Sequence, residues 1–138
     1  SGTATEEEIR EVTFNLKDSD YILMHCVSSY PCTVDNINLP RISVLSHFAK
    51  KVGFSDHTSG INAAKVSLEF SPFCIEKHFT IDKNLPGRDN KFAILPKDMK
   101  SLSEFITDRE KCLSFHGLNF QEIEGDSREN YRGRFDGR

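Results

Sequence analysis

The feature that most constrains the fold is an alternation of strand-like runs with segments of helical periodicity. One run, YILMHCV (21–27), is short and continuously apolar, and two further strand candidates follow it, the very short GFSDH (53–57) and then FCIEKHF (73–79). A continuous apolar run of this length is typical of a strand buried on both faces. Strands that alternate with helices predict a parallel sheet with right-handed crossovers. The chain is therefore predicted to be an α/β protein built from parallel βα units.

Four segments around these strands carry the helical pattern. The first begins with a capping box, because Thr5 is followed three residues later by Glu8, and its apolar residues predict a helix over 6–16. In the second, Pro40 lies near the helix start and Gly53 marks its end. The remaining predicted helices span 61–69 and, after Pro96, 99–115.

The last part of the chain differs from the rest. Residues 116–138 are rich in Gly, Arg, Asp and Glu and have no apolar period, so they are predicted to be a polar tail or linker that follows a domain over 1–115. An RNA-contacting segment is the alternative, but interleaved acidic residues dilute the positive charge and favour a solvated linker. The arginines concerned are Arg128, Arg132, Arg134 and Arg138.

Composition and charge exclude several classes of partner. A net charge of −3 gives no reason to expect nucleic acid or an anionic membrane surface. No apolar run approaches the roughly 20 residues that a membrane span needs, and the opening SGTATEEEIR lacks the features of a secretory signal. Cys26 and Cys74 lie inside apolar runs, and none of the four cysteines forms a CxxC pair. This usage favours reduced thiols and a cytoplasmic location over a disulfide framework or a zinc site.

Polar side chains follow each predicted strand at its carboxyl end. Because parallel strands end at one edge of the sheet, these side chains should lie close together. Two histidines on neighbouring strand ends can share one divalent metal, and the hydroxyls and a lysine suit an anion such as phosphate. The side chains after the three strands, in order, are Ser28, Ser29 and Tyr30; Ser55, Asp56 and His57; and Lys77, His78 and Thr80.

A structural role for these histidines is the alternative, since one histidine near a strand end is more often a hydrogen-bonded structural residue than a ligand. His25 lies within an apolar run and is predicted to be a core residue with satisfied hydrogen bonds. His47 and His116 are predicted to lie on the surface. The residues alone therefore predict a metal or phosphate site and leave the structural alternative open.

Three stretches of the sequence resemble the sialic acid synthase family, including its legionaminic and pseudaminic acid members. They are LMHCVSSYPCTVDNINLPRI, VGFSDHTSGI and IEKHFTIDKNLPGRDNKFAILP, and SGTATEEEI is similar to the family's STGMATLEEI. The resemblance covers most of residues 1–115 and implies that they form strands six to eight, the C-terminal part of a (β/α)8 TIM-type barrel. In the family a small antifreeze-like domain usually follows the barrel.

The resemblance also implies an activity. Family members are transferases that condense phosphoenolpyruvate with an N-acetylated sugar aldehyde such as N-acetylmannosamine, which gives a nine-carbon 2-keto acid and phosphate. It implies phosphoenolpyruvate and an N-acetylated amino sugar as partners, Mn2+ or Mg2+ as cofactor, and a homodimer for the full-length enzyme.

Individual residues match the family's site. His57 and His78 match its two metal-ligand histidines, and the metal would polarise the sugar aldehyde as a Lewis acid. Ser55 matches a phosphate-contacting serine, and Ser28 stands where some members have a phosphate-contacting asparagine.

Three further positions complete the substrate-binding set that the resemblance implies. Tyr30 and Asp89 match positions that line the sugar site. Lys77 stands where other members have lysine or arginine, and a structural ion pair and an anion contact are equally open for it.

The sequence also departs from the family. Many members read PDHKASL after the PG pair, whereas this chain has Arg88, Asn90 and Ala93 at three of those positions, so the sugar itself is left open. The family's earlier strands supply phosphoenolpyruvate-binding lysines and a catalytic glutamate that this chain does not contain. Three strands cannot close a barrel, so the chain is predicted to be inactive alone, as a fragment of a longer enzyme or an assembly-dependent remnant. The alternatives are a non-catalytic metal-binding or interaction protein and a related phosphoenolpyruvate-dependent aldolase.

Overall fold

The computed structural model describes residues 1–133, so Arg134 and Arg138 of the predicted tail lie outside the described residues. The chain divides into two compact units, Ser1–Thr107 and Asp108–Arg138. The strands are β1 (Leu23–His25), β2 (Val52–Asp56) and β3 (Ile75–Lys77). The helices are α1 (Glu6–Asn15), α2 (Arg41–Leu45), α3 (Asn62–Ser67), α4 (Pro96–Cys112) and α5 (Gly125–Asn130).

The three strands form one parallel sheet in the order β1-β2-β3. His25 of β1 is the register partner of Phe54 in β2, and Ser55 of β2 is the register partner of Glu76 in β3. The α/β class and the parallel sheet predicted from the alternation are confirmed. The register matters for the site because it decides which side chains share a face.

Burial distinguishes the central strand from its neighbours. All five residues of β2 are buried, whereas β1 and β3 are three residues long and only partly buried. The prediction of a strand buried on both faces, made for 21–27, is therefore wrong for β1, and the very short candidate at 53–57 forms the buried strand instead. β2 is flanked by a strand on each side, while β1 and β3 each have one neighbour among the residues that the structure describes.

The hydrophobic core lies on the face of the sheet that packs against the helices. Phe54 is fully buried on the face that packs against the helices, in a core that also contains Ile9, Ile42 and Leu45. Hydrophobic burial of this kind is the main stabilising contribution to the fold.

Gly53 was predicted to end the second helix but lies within β2. A Cβ at this position would collide with Met24 Sδ and would lie 2.8 Å from Cys74 Sγ. The two sulfur atoms, 3.8 Å apart, meet across β2 where glycine leaves room for them. Glycine is therefore a packing requirement of the strand.

The helices agree with the prediction at their starts more closely than at their ends. In α1, Thr5 Oγ1 accepts a hydrogen bond from Glu8 N at 3.3 Å, and Thr5 N donates to the Glu8 carboxylate at 2.7 Å, which lowers the pKa of Glu8. The second helix, α2, ends at Leu45, well before residue 52. The fourth, α4, ends at Cys112, and the apolar side chains that follow it are mostly exposed, Leu113 at 64 % and Phe115 at 80 %.

The second unit contains more local structure than a linker without periodicity would have. Glu122–Glu124 form a 3-10 turn, which continues into α5. Gln121 N donates to Glu124 Oε2 at 2.6 Å, and the Arg128 guanidinium lies 4.4 Å from the centre of the Phe120 ring. Neither segment has a buried residue, so the described part of this unit has helical turns without a core of its own.

Among residues 1–133 no helix combines the length and the apolar character needed to cross a membrane. The cysteines are all free; Cys32 is buried, but Cys112 is exposed.

Candidate metal and substrate site

The carboxyl ends of β2 and β3 bring two histidines together on one face of the sheet. Side chains alternate between faces along a strand, so Ser55 and His57 share a face. Glu76 pairs in register with Ser55, and His78 follows it at the same spacing. The ring centroids of His57 and His78 lie 5.6 Å apart. The structure therefore brings together the two histidines predicted from the strand ends, and we call them the histidine pair.

His57 is held in one orientation by the backbone. The residue is 5 % exposed, and its Nδ1 lies 2.7 Å from the carbonyl oxygen of Val27. A carbonyl oxygen can only accept, so Nδ1 carries the proton and, in the neutral ring, Nε2 presents a lone pair. Metal-binding histidines are commonly oriented by such a hydrogen bond from the other ring nitrogen.

The hydroxyl next to that lone pair is committed elsewhere. Ser55 Oγ lies 3.2 Å from His57 Nε2 and 2.6 Å from Glu76 Oε1. A serine hydroxyl has one proton to donate, and the Glu76 carboxylate is both the closer and the stronger acceptor. The lone pair of His57 Nε2 is therefore left free to bind a cation.

The second histidine is more accessible and faces an acid. The side chain of His78 is 32 % exposed, and its Nδ1 lies 3.7 Å from Asp89 Oδ2. Its ring packs edge-on against Phe92 at 5.0 Å, and Phe92 is itself buried. Asp89, which the resemblance places at the sugar site, thus lies beside one member of the histidine pair.

Tyr30 covers both histidines. Its ring centroid lies 4.3 Å from that of His57 and 5.9 Å from that of His78. The side chain is 43 % exposed, so one part packs on the imidazoles while the remainder faces solvent. This position allows the ring to contact a ligand bound beside the histidine pair.

The donor set fits a divalent metal in part. Two imidazoles are suitable ligands, and one ion at the usual metal–nitrogen distance of about 2.1 Å could reach two rings spaced in this way. Within the described range no group of three or more His, Cys, Asp or Glu side chains is placed to hold a metal. This range therefore contains no such cysteine and histidine group for zinc either. An ion here would take two ligands from this part of the chain and the rest from other groups.

Lys77 lies on the opposite face from the histidine pair, because it alternates with Glu76 and His78 along β3. Its ammonium is 2.9 Å from Asp56 Oδ2 and donates to the carbonyl oxygen of Thr58 at 2.6 Å. The side chains of Lys77 and Asp56 are 2 % and 0 % exposed. Burial lowers the pKa of Lys77, and the Asp56 carboxylate opposes that shift. Of the two roles left open for Lys77, the structure shows the ion pair.

Ser28 is placed differently from the other predicted site residues. It is exposed and lies beside the N-terminal segment, where a Cβ on Gly2 would collide with the serine Oγ. Ser55, Tyr30 and Asp89, in contrast, each lie against a member of the histidine pair.

Two residues of the site were missed from the sequence. Glu76 was assigned to the third strand without a role, and Phe92 to a loop. The signal for Glu76 is its spacing, two residues before His78, which repeats that of Ser55 and His57 and puts both pairs on one face. Phe92 gave no comparable signal.

A cavity of about 380 Å³ opens beside this cluster. It is lined by Tyr30, His78, Arg88 and Asp89. The cavity therefore joins one imidazole of the histidine pair to both residues expected to line a sugar site.

A parallel sheet with two imidazoles and a cavity at its carboxyl edge defines the class, an α/β protein with a candidate site at the edge where such folds bind small ligands. Residues 1–116 match the model of the NeuB family. The chain belongs to the NeuB family, which confirms the resemblance to sialic acid synthases.

Similar proteins include synthases of N,N'-diacetyllegionaminic acid, pseudaminic acid and N-acetylneuraminate-9-phosphate. The chain is 42 % identical over 97 residues to N,N'-diacetyllegionaminic acid synthase of Legionella pneumophila, which is 69 % of this chain and 27 % of that protein. It is 33 % identical over 113 residues to N-acetylneuraminate-9-phosphate synthase of Drosophila melanogaster, 78 % of this chain and 30 % of the relative.

The fold matches solved structures of the same group. The crystal structure of N-acetylneuraminic acid synthetase from Leptospira borgpetersenii superposes with a TM-score of 0.75 at 34 % identity, over 99 % of this chain and 49 % of that one. The chain thus spans between about a quarter and a half of the proteins it is similar to.

Proposed function

We propose that this chain is part of a sialic-acid-type synthase that condenses phosphoenolpyruvate with an N-acetylated sugar aldehyde such as N-acetylmannosamine. The products are a nine-carbon 2-keto acid and phosphate. In this proposal the three strands are strands six to eight of a (β/α)8 barrel, and the full-length enzyme is a homodimer. Membership of a family whose relatives are synthases supports it.

The observation that carries the proposal is the 5.6 Å spacing of the His57 and His78 rings, with His78 at the wall of a cavity and His57 Nδ1 held by the carbonyl oxygen of Val27. His57 and His78 would hold a divalent metal, Mn2+ or Mg2+, which supplies Lewis-acid polarisation of the aldehyde when bound. Val27 fixes the His57 tautomer through its carbonyl oxygen, so this imidazole needs no reorientation to bind a cation.

The other residues have positioning and binding roles in the proposed site. Tyr30 packs over the imidazoles and, with Asp89, would contact the amino sugar in the cavity. Ser55 would donate to the phosphate of phosphoenolpyruvate once its hydroxyl rotates away from Glu76. Lys77 would act only through the ion pair that joins the ends of β2 and β3.

Phosphate release tests this function. The full-length protein, incubated with phosphoenolpyruvate, N-acetylmannosamine and Mn2+, should release phosphate and lose that activity when the metal is chelated. A set of related N-acetylated sugars should be tested in parallel, because the sugar is not fixed by the site. Release that persists after exhaustive chelation would overturn the metal assignment.

A non-catalytic metal-binding protein is the second candidate, because the histidine pair could hold an ion whether or not a reaction follows. Saturable Mn2+ binding without phosphate release from any sugar tested would support this alternative over the synthase.

A further inference from the structure

The cavity beside the histidine pair contains a cation that the expected sugar contacts do not include. Arg88 lines the cavity of about 380 Å³ together with Tyr30, His78 and Asp89. Tyr30 and His78 contact each other, and Asp89 Oδ2 faces His78 Nδ1 at 3.7 Å. Arg88 is thus the only wall residue in this group with no role in the arrangement described above.

The loop that carries Arg88 is held in place by its own hydrogen bonds. Asn90 Nδ2 donates to the carbonyl oxygen of Leu85 at 3.1 Å and to that of Pro86 at 3.0 Å. Gly87 has φ +139°, and a Cβ there would lie 2.8 Å from Asn90 Nδ2, so glycine lets the amide reach across the loop. Two of the residues that distinguish this loop from its relatives, Arg88 and Asn90, therefore act together: one closes the loop and the other lines the cavity.

The Arg88 guanidinium is uncommitted. Across residues 1–133 it forms no hydrogen bond and no ion pair, whereas Arg10 is paired with Glu6 and Lys51 with Asp20. A guanidinium offers five donors in a planar fork that matches the oxygens of phosphate or carboxylate. A free guanidinium on a cavity wall is therefore a binding group for an anion.

We propose that Arg88 makes the cavity select an acceptor sugar aldehyde that carries an anionic group, either a phosphate ester or a carboxylate. This inference rests on the proposed synthase function. The anion belongs to the acceptor because Arg88 shares its cavity with Tyr30 and Asp89, the residues assigned to the sugar, and Ser55, assigned to the phosphate of phosphoenolpyruvate, does not line it.

The test compares acceptors in the full-length enzyme. For wild type and Arg88→Gln, kcat/KM is measured with N-acetylmannosamine, with its 6-phosphate ester and with the corresponding uronic acid, together with the KM for phosphoenolpyruvate. Lys97→Gln is the matched control, because Lys97 is exposed and its substitution removes the same charge outside the cavity. Asn90→Ala serves as a second variant that releases the loop without removing charge.

The wild-type enzyme should have a higher kcat/KM for one charged acceptor than for the neutral sugar. Whether that acceptor is the phosphate ester or the uronic acid identifies the anion that Arg88 binds. Arg88→Gln should lower the ratio of kcat/KM for that acceptor to kcat/KM for the neutral sugar at least tenfold, about 1.4 kcal/mol of discrimination. Asn90→Ala should lower the same ratio, and Lys97→Gln should leave it unchanged.

Several outcomes would overturn the inference while leaving the synthase intact. They are a wild type that prefers the neutral sugar, an unchanged ratio in Arg88→Gln, and an effect confined to the KM for phosphoenolpyruvate, which would assign the guanidinium to that substrate. Absence of turnover with every acceptor would defeat the proposed function itself, and the acceptor preference with it.

Discussion

Ser55 and Glu76 are register partners in β2 and β3, and the serine Oγ lies 2.6 Å from the glutamate Oε1. This contact decides where the single hydroxyl proton goes, and hence whether His57 Nε2, 3.2 Å from the same oxygen, keeps a free lone pair. The carboxylate thus acts on the proposed metal ligand through the serine.

Removal of that carboxylate should weaken metal binding. In Glu76→Ala the Ser55 hydroxyl should turn to His57 Nε2 and compete with the cation, lowering the affinity of the full-length protein for Mn2+ about 10- to 100-fold, as loss of groups that orient metal ligands commonly does. Calorimetric titration measures this. The double variant Ser55→Ala/Glu76→Ala should recover part of the affinity, and Glu69→Ala, at an exposed site, should have no effect. A double variant as weak as the single one would contradict the proton assignment.

Loss of either imidazole should abolish turnover without unfolding the enzyme. His57→Ala and His78→Ala each remove one of the two proposed protein ligands, and neither side chain is part of the main hydrophobic core. We expect phosphate release to fall to background while the thermal unfolding profile is largely retained. His47→Ala, an exposed histidine outside the site, is the control. Normal turnover in either variant would exclude the histidine pair from catalysis.

His25 should instead contribute to stability. It is fully buried, stacks on Phe54, and its Nε2 donates to the carbonyl oxygen of Ile37 at 2.8 Å. Substitution His25→Ala leaves that carbonyl without its donor, so the free energy of unfolding should drop by about 1–3 kcal/mol. Chemical denaturation measures the loss, and a stable but inactive variant would mean that core and site had been confused.

The same residue predicts a dependence of stability on pH. Burial lowers the pKa of His25, with the hydrogen bond to Ile37 opposing the shift. The unfolded chain binds a proton near pH 6.5, where the folded chain does not, so the free energy of unfolding should decrease as the pH falls below about 6.5. His25→Ala should show a smaller decrease over the same range. Parallel profiles for the two proteins would contradict this.

The ion pair between Asp56 and Lys77 should be costly to break from one side. Lys77→Met leaves a buried carboxylate without its partner, so we expect a loss of about 3–5 kcal/mol in the free energy of unfolding. The double variant Asp56→Asn/Lys77→Met should lose less. The exposed pair of Lys51 and Asp20 is the control, since Asp20→Asn should cost less than about 1 kcal/mol. Equal effects at the two pairs would argue against a buried charge.

The isolated 138-residue polypeptide should be inactive and should self-associate. Large apolar side chains next to the edge strands are exposed, including Phe73 at 59 % and Phe79 at 51 %. Apolar surface beside open strand edges promotes association. Light scattering gives the mass in solution, and the phosphate assay gives the activity. A monomer that unfolds cooperatively would contradict the expected self-association, and turnover by the polypeptide alone would contradict the expected inactivity.

Local signals in the sequence predicted those features that depend on few residues. The capping box at Thr5 located the start of α1 because both of its hydrogen bonds are made within four residues. The histidine pair was predictable because parallel strands end at one edge. These inferences needed only the element order, not the tertiary packing.

Features set by packing between elements were not accessible in the same way. The role of Lys77 depends on which face of β3 it occupies, and the register with β2 decides that. The length of α2 depends on where its apolar face meets the core, and Phe92 is part of the site only because the loop folds back onto His78.

The ion pair behind the sheet has a further consequence for how the family can diversify. Asp56 and Lys77 each immediately precede a histidine of the pair, so they tie the two strand ends together from the side away from the cavity. The loop that bears Arg88 and Asn90 is closed by its own hydrogen bonds. The ion pair between the strand ends and the hydrogen bonds that close the loop are therefore separate sets of contacts, so in the proposed enzyme substitutions at Arg88 or Asn90 would alter the acceptor while the ion pair keeps the strand ends together.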